Sequence, residues 1–435
     1  MQFDPPSGTR DFLAAELERR ENAFAIIREV FARYGFEPLQ TPAFEHLEVL
    51  TGKYGDDGDK LIFKILRRGE HAVSGEADLA LRYDLTVPLA RVAAAYGSQL
   101  PSPYKRYAIG PVWRADRPGK GRYREFVQCD LDTLGSASRM ADAEAVCAQY
   151  DVLTELGVAD FQFLLNSRQV LSGLLEAFSV PTELGHGVLT TLDKLDKLVP
   201  ARVIAELGAR GLDESRSVGL VDTLTAGDSV ARVRTALKAS DSGTAGLDEI
   251  DEVISLVTAH LPCERIGFTP RLVRGLSYYT GPIWEVVAPG MPGSIASGGR
   301  YDGLISQLGG PDVPATGGSV GIERILPLLP REMSGSRGRL DVAVPVMGED
   351  LAPHSFVLAA ATRRAGLRAA VYLGSSGKLS KQLRWASDQG ARYCLIYGRS
   401  EHARGQVTVR DMISGEQTEV YADQIGDYLM RLSTG

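Results

Sequence analysis

The chain has 435 residues, of which 44% are hydrophobic and 24% charged, and its formal net charge at pH 7 is −7. Such a length predicts two or three globular domains, and the acidic balance argues against a protein that coats nucleic acid nonspecifically. Neither a secretory leader nor a run of about 18 apolar residues is visible, so we expect a cytoplasmic protein with no membrane span.

The first third of the chain alternates helical and extended patterns. Residues 12–35 repeat apolar positions at intervals of three and four, which predicts an amphipathic helix. The prolines of FEPLQTPAFE favour an extended segment, whereas DLALRYDLTVPLARVAAAYG predicts a strand that runs into a helix. YKRYAIGPVWRAD and FVQCDLDTLG alternate as strands do on either side of a Pro/Gly-rich loop, so they predict a long hairpin.

The loop of this hairpin is strongly basic for an acidic chain. The segment RADRPGKGRYREF, residues 114–126, carries the basic side chains Arg114, Arg117, Lys120, Arg122 and Arg124. A binding site for a polyanion is one interpretation, and a solvated surface loop is the other.

The second half of the chain divides into three regions. Helical spacing dominates residues 168–260, which we interpret as a helical insertion. Strand patterns return in RLVRGLSYYTGPIWEVV, and GGSVGIERILPLL predicts a strand that enters a helix. Residues 330–339 are a candidate for a polar linker. Beyond it, strands and helices alternate in a βαβαβ order, which predicts a small, mostly parallel sheet in a domain of about 95 residues.

The common nucleotide-binding and metal-binding motifs are not found in the sequence. GSSGKLS misses the P-loop pattern because Tyr372 stands where its first glycine belongs, and no G-x-G-x-x-G opens the last βαβ unit. The four cysteines form no C-x-x-C pair and the chain has no H-E-x-x-H, so no metal site is predicted. An α/β-hydrolase is not expected either.

Charged residues at strand-like positions are more informative. The arginines that lie beside aromatic or apolar neighbours are Arg82, Arg114, Arg122, Arg274 and Arg324. A buried arginine needs an anion, because an unpaired buried charge is costly, and guanidinium groups match the geometry of phosphate. Each arginine alone fits a structural ion pair, whereas the set indicates a phosphate-rich ligand on a sheet. Asp84, Asp130 and Asp132 on the same strands either neutralise these arginines or receive a cationic amine or imidazole.

Over essentially its whole length the sequence resembles the histidyl-tRNA synthetases, a family of class II aminoacyl-tRNA synthetases. GTRDF is similar to the family's opening, TPAFE contains the motif 1 proline, Pro42, and LRYDLTVPLAR resembles its first substrate strand. VWRADRPGKGRYREFVQCDLDTLG and GSVGIERIL resemble motifs 2 and 3, and VRGLSYYTG and SGGRYDGL resemble the two histidine-specific signatures.

This resemblance implies both a fold and an activity. The fold is an α+β catalytic domain over residues 1–330 with an antiparallel sheet and the helical insertion, followed by a small α/β anticodon-binding domain over 340–435. The activity is that of an ATP-dependent ligase, which activates L-histidine as an adenylate and transfers it to tRNA(His). ATP is expected with Mg²⁺, and the protein is expected to be a homodimer with Pro42 at its interface.

The resemblance also assigns roles to single residues. The catalytic residues would be Arg274 and Arg114, ATP would be bound by Arg114, Arg122 and Arg324, and the acceptor stem of tRNA would touch Arg117 and Lys120. The histidine pocket would consist of Asp84, Thr86, Arg114, Gln128, Asp132, Arg274, Tyr278, Tyr279 and Tyr301. In that pocket Asp84 and Thr86 would hold the amino group, and Asp132 would face the imidazole.

Two departures from the family's sequence pattern leave alternative functions open. Ser277 stands where the family usually has an acid, and Asp132 replaces the longer glutamate of the common bacterial form. A paralog that regulates histidine biosynthesis, or one that passes the adenylate to a non-tRNA acceptor, is therefore retained. Residues 340–435 and the intact arginines argue against the regulatory paralog. A nonenzymatic RNA-binding protein would have no need of a histidine pocket.

Overall fold

The structure is a computed structural model that describes residues 3–69, 74–119, 121–196, 198–273, 278–330 and 340–433. The chain divides into two compact units, Met1–Met333 and Ser334–Gly435. The predicted linker, apart from Pro330, lies outside the described residues. Within the described ranges, no helix is both long and apolar enough to cross a membrane.

The first unit combines helices with two sheets. Its helices are α1 (Ala14–Arg33), α2 (Leu47–Leu50), α3 (Gly55–Asp59), α4 (Thr86–Tyr96), α5 (Arg139–Glu155), α6 (Arg168–Ala177), α7 (Thr182–Leu192), α8 (Pro200–Ala209), α9 (Glu214–Thr225), α10 (Ser229–Ala236), α11 (Asp241–Val257) and α12 (Ile322–Ile325). Its strands are β1 (Glu37–Pro38), β2 (Phe44–His46), β3 (Lys64–Leu66), β4 (Ala77–Leu81), β5 (Tyr104–Trp113), β6 (Glu125–Leu134), β7 (Gln162–Ser167), β8 (Ile266–Phe268), β9 (Pro282–Val287), β10 (Ala296–Arg300) and β11 (Ala315–Val320).

The main sheet has the strand order β1-β5-β6-β11-β10-β9-β7-β8. Its two edge pairs, β1–β5 and β7–β8, are parallel, and every pair between them is antiparallel. The predicted antiparallel sheet is therefore confirmed for all but the edges. The predicted hairpin is confirmed too, with Trp113 of β5 opposite Glu125 of β6. A second, three-stranded sheet has the order β2-β4-β3.

Strand β6 separates a hydrophobic core from a polar face. Cys129 and Leu131 are fully buried in a core that also contains apolar residues of α1, α5 and α11. Because side chains alternate along a strand, Gln128, Asp130 and Asp132 point to the opposite face. A functional site on this face can be polar without disturbing the core.

The strand predicted in RLVRGLSYYTGPIWEVV is only partly correct. Within the described residues it begins at Pro282, and residues 278–281 form a turn and an irregular segment. The rings of Tyr278 and Tyr279 lie 5.2 Å apart, and Tyr278 lies 5.8 Å from Tyr301. Aromatic contacts, together with the backbone hydrogen bond from Thr280 N–H to the Arg300 carbonyl at 2.8 Å, thus hold this segment against the end of β10.

The predicted helical insertion is confirmed as α6 to α11, which bury an apolar core of their own. Helices α6 and α11 pack through glycines, since a Cβ atom added at Gly173 would lie 2.4 Å from the Cα atom of Gly243. Gly246 is equally confined, because a Cβ atom added there would lie 2.8 Å from a backbone nitrogen of α6. Only glycine permits backbones to approach this closely.

The second unit has one sheet with helices around it. Its strands are β12 (Val342–Val344), β13 (Ala369–Val371), β14 (Tyr393–Ile396), β15 (Gln406–Asp411) and β16 (Gln417–Tyr421), and its helices are α13 (Ala352–Arg364), α14 (Leu379–Asp388), α15 (Arg399–Arg404) and α16 (Ile425–Ser433). The order is β13-β12-β14-β15-β16, parallel over the first three strands and antiparallel over the rest. The sheet is therefore mixed rather than mostly parallel, because β15 and β16 form a hairpin at its edge.

Candidate active site

A cavity of about 1120 Å³ lies on the polar face of the main sheet. The residues predicted from the sequence that line it are Asp84, Thr86, Arg114, Arg122, Gln128, Asp130, Asp132, Tyr278, Tyr279, Tyr301 and Arg324. Arg117 is exposed and is not among the lining residues. Arg274, Lys120 and Ser277 lie outside the described residues, so their predicted roles stay predictions.

Asp132 is held in place by two neighbours, one on β5 and one directly after β10. Arg106 of β5 lies directly opposite it in the hairpin and forms an ion pair of 2.8 Å, with both side chains almost completely buried. The hydroxyl of Tyr301 donates to the other carboxylate oxygen. Gly317 lies on the far side of Asp132, where a Cβ atom would come within 2.2 Å of the carboxylate. The strand register therefore makes a fitted position for this side chain.

Asp84 lies just before α4 and presents one oxygen that is already bound and one that is not. Its Oδ1 atom accepts from the backbone N–H of Val87 at 3.0 Å and from the hydroxyl of Tyr54 at 3.1 Å. Its Oδ2 atom is buried and has no hydrogen-bond partner in the structure. Burial raises the pKa of Asp84, against the opposing effect of the Val87 N–H and Arg114. An orphaned carboxylate oxygen of this kind is suited to receive an ammonium group.

Gln128 and Asp130 complete the polar row on β6. The Gln128 amide donates to the Ser319 hydroxyl at 3.2 Å and approaches Asp130 at 3.4 Å, while its Oε1 atom is buried without a partner. Asp130 is 2% exposed, and its pKa is raised to about 7, chiefly by burial. Together with Oδ2 of Asp84 and Oδ2 of Asp132, which forms the ion pair with Arg106, Gln128 Oε1 is thus one of three buried acceptors in the pocket without a hydrogen-bond donor.

Ser319 lies in the segment GGSVG, which formally fits the G-x-S-x-G pattern of hydrolases. A nucleophile elbow places its serine on a sharp strand-to-helix turn. Ser319 instead lies inside the β11 ladder opposite Asp130 and accepts from Gln128. The motif is therefore a strand segment here, and the expectation that excluded an α/β-hydrolase is unaffected.

Arginines surround the other part of the cavity. Arg114 donates from Nε to the carbonyl of Tyr83 at 3.1 Å, and its guanidinium lies over the rings of Tyr83 and Phe126 at 4.3 and 5.1 Å. Among the described residues, no carboxylate lies within 4.0 Å of it. Arg122 is exposed and pairs with Asp116 at 2.9 Å. These positions leave the Arg114 guanidinium available to an anionic ligand.

Arg324 is positioned by the loops on either side of it. Its Nη1 atom donates to the carbonyl of Ser294 at 2.6 Å, and Nε approaches the carbonyl of Gly121 at 3.4 Å. A Cβ atom at Gly293 would lie 3.0 Å from Nη1. The glycines thus let both loops close around the guanidinium, which connects the tip of the hairpin to α12.

Arg82 does not belong to this site, contrary to the expectation that placed it among ligand-binding arginines. Its guanidinium donates to the carbonyls of Pro111 and Thr41, each at 2.8 Å. It does not line the cavity. Its role is structural, since it joins β5 to the segment that precedes β2.

Sequence reasoning missed two sets of charged residues. Arg106 was overlooked because only the hairpin register shows that it faces Asp132. Glu323 lines the cavity and is bound by Arg20 at 2.9 and 2.8 Å and also by Arg10, both from the N-terminal part of the chain. Burial acts to raise the pKa of Glu323, but these two arginines lower it overall. Because both arginines are far from Glu323 in the sequence, no local pattern indicated that they would pair with it.

Comparisons with known proteins agree with this architecture. A family model described as histidyl-tRNA synthetase matches residues 8–325, and one described as anticodon binding domain matches residues 341–432. A histidine–tRNA ligase of Gloeobacter violaceus is 38% identical over 95% of both chains, and one of Ruegeria pomeroyi is 40% identical over 95% of this chain and 90% of its own. The crystal structure of histidyl-tRNA synthetase from Nostoc sp. PCC 7120 superposes with a TM-score of 0.78 at 29% identity and covers 99% of this chain and 100% of that one.

The sheet, its motif 2 hairpin and the cavity above them define the catalytic fold of the class II aminoacyl-tRNA synthetases. Within that class, the chain belongs to the histidyl-tRNA synthetase family.

Proposed function

We propose that this protein is a histidine–tRNA ligase, which activates L-histidine with ATP and transfers it to tRNA(His). The observation that carries the proposal is the charge arrangement of one cavity. Buried acceptors of Asp84, Gln128 and Asp130 line one part, and the guanidinium groups of Arg114 and Arg324 line another. An amino acid with a cationic ammonium group fits the part lined by acceptors, and a nucleoside triphosphate fits the part lined by guanidinium groups.

The acidic part of the cavity would select histidine. Asp84 Oδ2 would accept from the α-ammonium group, with Thr86 and Gln128 beside it. Tyr278, Tyr279 and Tyr301 would form the walls of the pocket, and Asp132, whose buried Oδ2 atom has no hydrogen-bond partner in the structure, would face the imidazole. Rejection of other amino acids would be strong, because a ligand without an imidazole would leave buried polar groups unpaired.

The basic part would position ATP for in-line attack. The carboxylate of histidine would attack the α-phosphorus, the bond to the bridging oxygen would break, and pyrophosphate would leave. Arg114 and Arg274 would face the charge that develops on the α-phosphoryl oxygens, which lowers the barrier electrostatically. Arg324 would bind the adenine or the γ-phosphate, and Arg122 would bind the phosphates once it exchanges Asp116 for them.

Mg²⁺ is proposed as the companion of ATP. Among the described residues, no group of three His, Cys, Asp or Glu side chains could hold a metal by itself. Mg²⁺ usually keeps several waters and binds through substrate phosphates with one or two carboxylates. The carboxylates of Glu285 and Asp116 line the cavity, so the donor set fits an ion that arrives with its nucleotide.

Transfer to tRNA would involve both units. Arg117 and Lys120 at the hairpin tip would contact the acceptor stem, and the second unit, which matches an anticodon-binding model, would contact the anticodon. The terminal ribose would then take the histidyl group from the adenylate. A cytoplasmic homodimer, with Pro42 at its interface, completes the proposal.

Histidine-dependent exchange of pyrophosphate into ATP, followed by aminoacylation of tRNA(His), tests this proposal. Exchange together with charging would establish the ligase. Exchange without charging would indicate a non-tRNA acceptor for the adenylate. Absence of exchange would favour the regulatory paralog, a reading less supported by relatives that bear the ligase name over nearly the full chain.

A further inference from the structure

Arg168 is a cation in the cavity that has no partner in the fold and no part in the proposed activation step. It is the first residue of α6, directly after β7, and its half-buried side chain lines the cavity. Among the described residues, no carboxylate lies within 4.0 Å of it, and burial lowers the pKa of its guanidinium with no carboxylate to offset the effect. The positive end of a helix is also an unfavourable place for a cation. The charge of Arg168 is therefore left to an anionic ligand.

Arg168 lies at the other end of the sheet from Arg324. Arg324 follows β11 at the end that pairs with Ala296, the first residue of β10. Arg168 follows β7 at the end that pairs with Pro282, the first residue of β9. Because β9 and β10 are antiparallel neighbours, their first residues lie at opposite ends of the sheet. The nucleotide proposed to bind Arg324 therefore lies away from Arg168.

Two further side chains of the insertion line the cavity beside Arg168. They are His186 of α7 and Arg210 directly after α8, and both are exposed. The Arg210 guanidinium lies against α7, since a Cβ atom added at Gly187 would come within 3.0 Å of its Nη1 atom. No carboxylate of the described ranges lies within 4.0 Å of Arg210. We call Arg168, His186 and Arg210 the insertion wall.

The insertion wall carries more positive than negative charge. Asp193 is the single carboxylate that the described part of the insertion contributes to the cavity lining, and it already takes part in another interaction. Arg210 lies at the exposed rim, and Arg168 lies deeper, where it is half-buried. An anion that enters from solvent along this wall thus meets one guanidinium first and the other later.

A nucleic acid strand fits this arrangement better than a small anion does. A free carboxylate or phosphate needs one guanidinium, whereas successive phosphates of a strand can contact an outer and an inner cation together. The proposed transfer step brings one such strand to the cavity, because the terminal ribose of the tRNA has to reach the adenylate. With ATP bound by the arginines at the other end of the sheet, the insertion side is left for the strand.

Building on the proposed transfer of histidine to tRNA, we propose that the insertion wall is a phosphate-binding subsite for the 3′-terminal strand of the tRNA, with Arg168 as its inner contact and Arg210 as its outer one. Arg168 donates from its guanidinium to a phosphodiester close to the terminal ribose, and this contact positions the ribose hydroxyl at the adenylate. The subsite acts in the transfer of the histidyl group and not in its activation. Measurements of the two steps therefore separate its role from that of the ATP-binding arginines.

The test compares Arg168→Gln and Arg210→Gln with the unchanged protein and with Arg202→Gln, a control at an exposed arginine of α8 that does not line the cavity. In charging assays, Arg168→Gln should lower the kcat/KM for tRNA(His) about 10-fold or more, since a charge-assisted hydrogen bond to phosphate is lost. Arg210→Gln should lower it less, because its side chain is exposed to solvent. In pyrophosphate exchange, the KM values for ATP and histidine should match those of Arg202→Gln, which also shows that the variants are folded.

The salt dependence of tRNA binding separates a phosphate contact from a structural role. The logarithm of the association constant falls linearly with the logarithm of the salt concentration, and each lost contact with a single-strand phosphate makes the slope shallower by about 0.7. Arg168→Gln should show this change, and the double variant with Arg210→Gln should show about twice as much. A tRNA(His) transcript that lacks its 3′-terminal CCA should bind the unchanged protein and Arg168→Gln with the same slope.

A salt slope and a kcat/KM for tRNA equal to those of Arg202→Gln would overturn the inference. A raised KM for ATP in Arg168→Gln would overturn it too, because the guanidinium would then serve the phosphates of ATP. If Arg168→Gln does not fold, Arg210→Gln at its exposed position is decided by the same slope measurement. Failure of the proposed activity would look different, since the unchanged protein and Arg202→Gln would both lack exchange or charging. The binding measurement needs no turnover, and absence of tRNA binding by the unchanged protein would overturn the inference as well.

Discussion

At the scale of single residues, the pocket is organised by where buried charge is and is not compensated. Arg106 and Asp132 form an almost fully buried ion pair, whereas Asp130, two residues earlier on the same face of β6, has only neutral partners. Ion pairs that are buried and fitted cost little net free energy, but an uncompensated buried carboxylate is destabilising. The pocket by itself is therefore held in an unfavourable electrostatic state that a cationic or N–H-donating ligand relieves.

Asp130 should accordingly lower the stability of the ligand-free protein as pH rises. Its folded pKa of about 7 lies above the unfolded value of about 3.9, so the stability it contributes is present below about pH 4 and is lost as pH rises toward 7. The gain in unfolding free energy of Asp130→Asn over the unchanged protein should be larger at pH 8 than at pH 5, on the order of 2 kcal/mol. Urea unfolding at both pH values measures this, and a gain independent of pH would contradict it.

At the scale of elements, the sequence predicted the helices and strands that follow from a local repeat of apolar residues. It missed the contacts that depend on strand register or on residues distant in the sequence. The alternation in β5 and β6 predicted the hairpin, and the spacing of apolar residues predicted α1 and the insertion. Arg106 was missed because its partner is fixed by the strand register, and Arg20 was missed because Glu323 is 303 residues away. The strand predicted in RLVRGLSYYTGPIWEVV was only partly correct, because among the described residues it begins at Pro282 and residues 278–281 form a turn and an irregular segment.

Packing of α6 against α11 should depend on its glycines. Gly243→Val would place methyl groups against Gly173 and the side chain of Leu237, whose atoms already lie 3.1 and 2.5 Å from a Cβ position. Separating the two helices should cost about 1–3 kcal/mol or more. Thermal unfolding should show a lower Tm than for a control at an open position of the same region, Gly227→Ala, where nothing lies within 4 Å. Equal melting temperatures would show that the helices separate without cost.

At the scale of the whole molecule, the two units have separate hydrophobic cores and separate sheets. All described residues of the candidate active site belong to the first unit. The second unit buries its own apolar residues around β12 and β14. Activation of the amino acid and selection of the tRNA can therefore be tested as separate properties of the chain.

A chain that ends at Pro330 should retain histidine-dependent pyrophosphate exchange, because the cavity is built entirely from the first unit among the described residues. Charging of tRNA(His) should fall by about 10-fold or more, since each 1.4 kcal/mol of lost binding to the tRNA is tenfold in affinity. Parallel exchange and charging assays on the full and shortened chains measure the two effects. Equal loss of both reactions would show that the second unit is required for activation.

The helical insertion between β7 and β8 has a consequence for the engineering of this fold. The insertion begins where β7 ends and closes at β8, and these strands are parallel neighbours, with Phe163 opposite Ile266. Its two ends are thus anchored side by side, and the entropy of closing a loop grows only slowly with its length. The spacing of β7 and β8 therefore does not depend on the length of the insertion. His186 of α7 and Arg210 after α8 line the cavity, so a grafted module in place of the insertion would keep the strands in register but would replace one wall of the site.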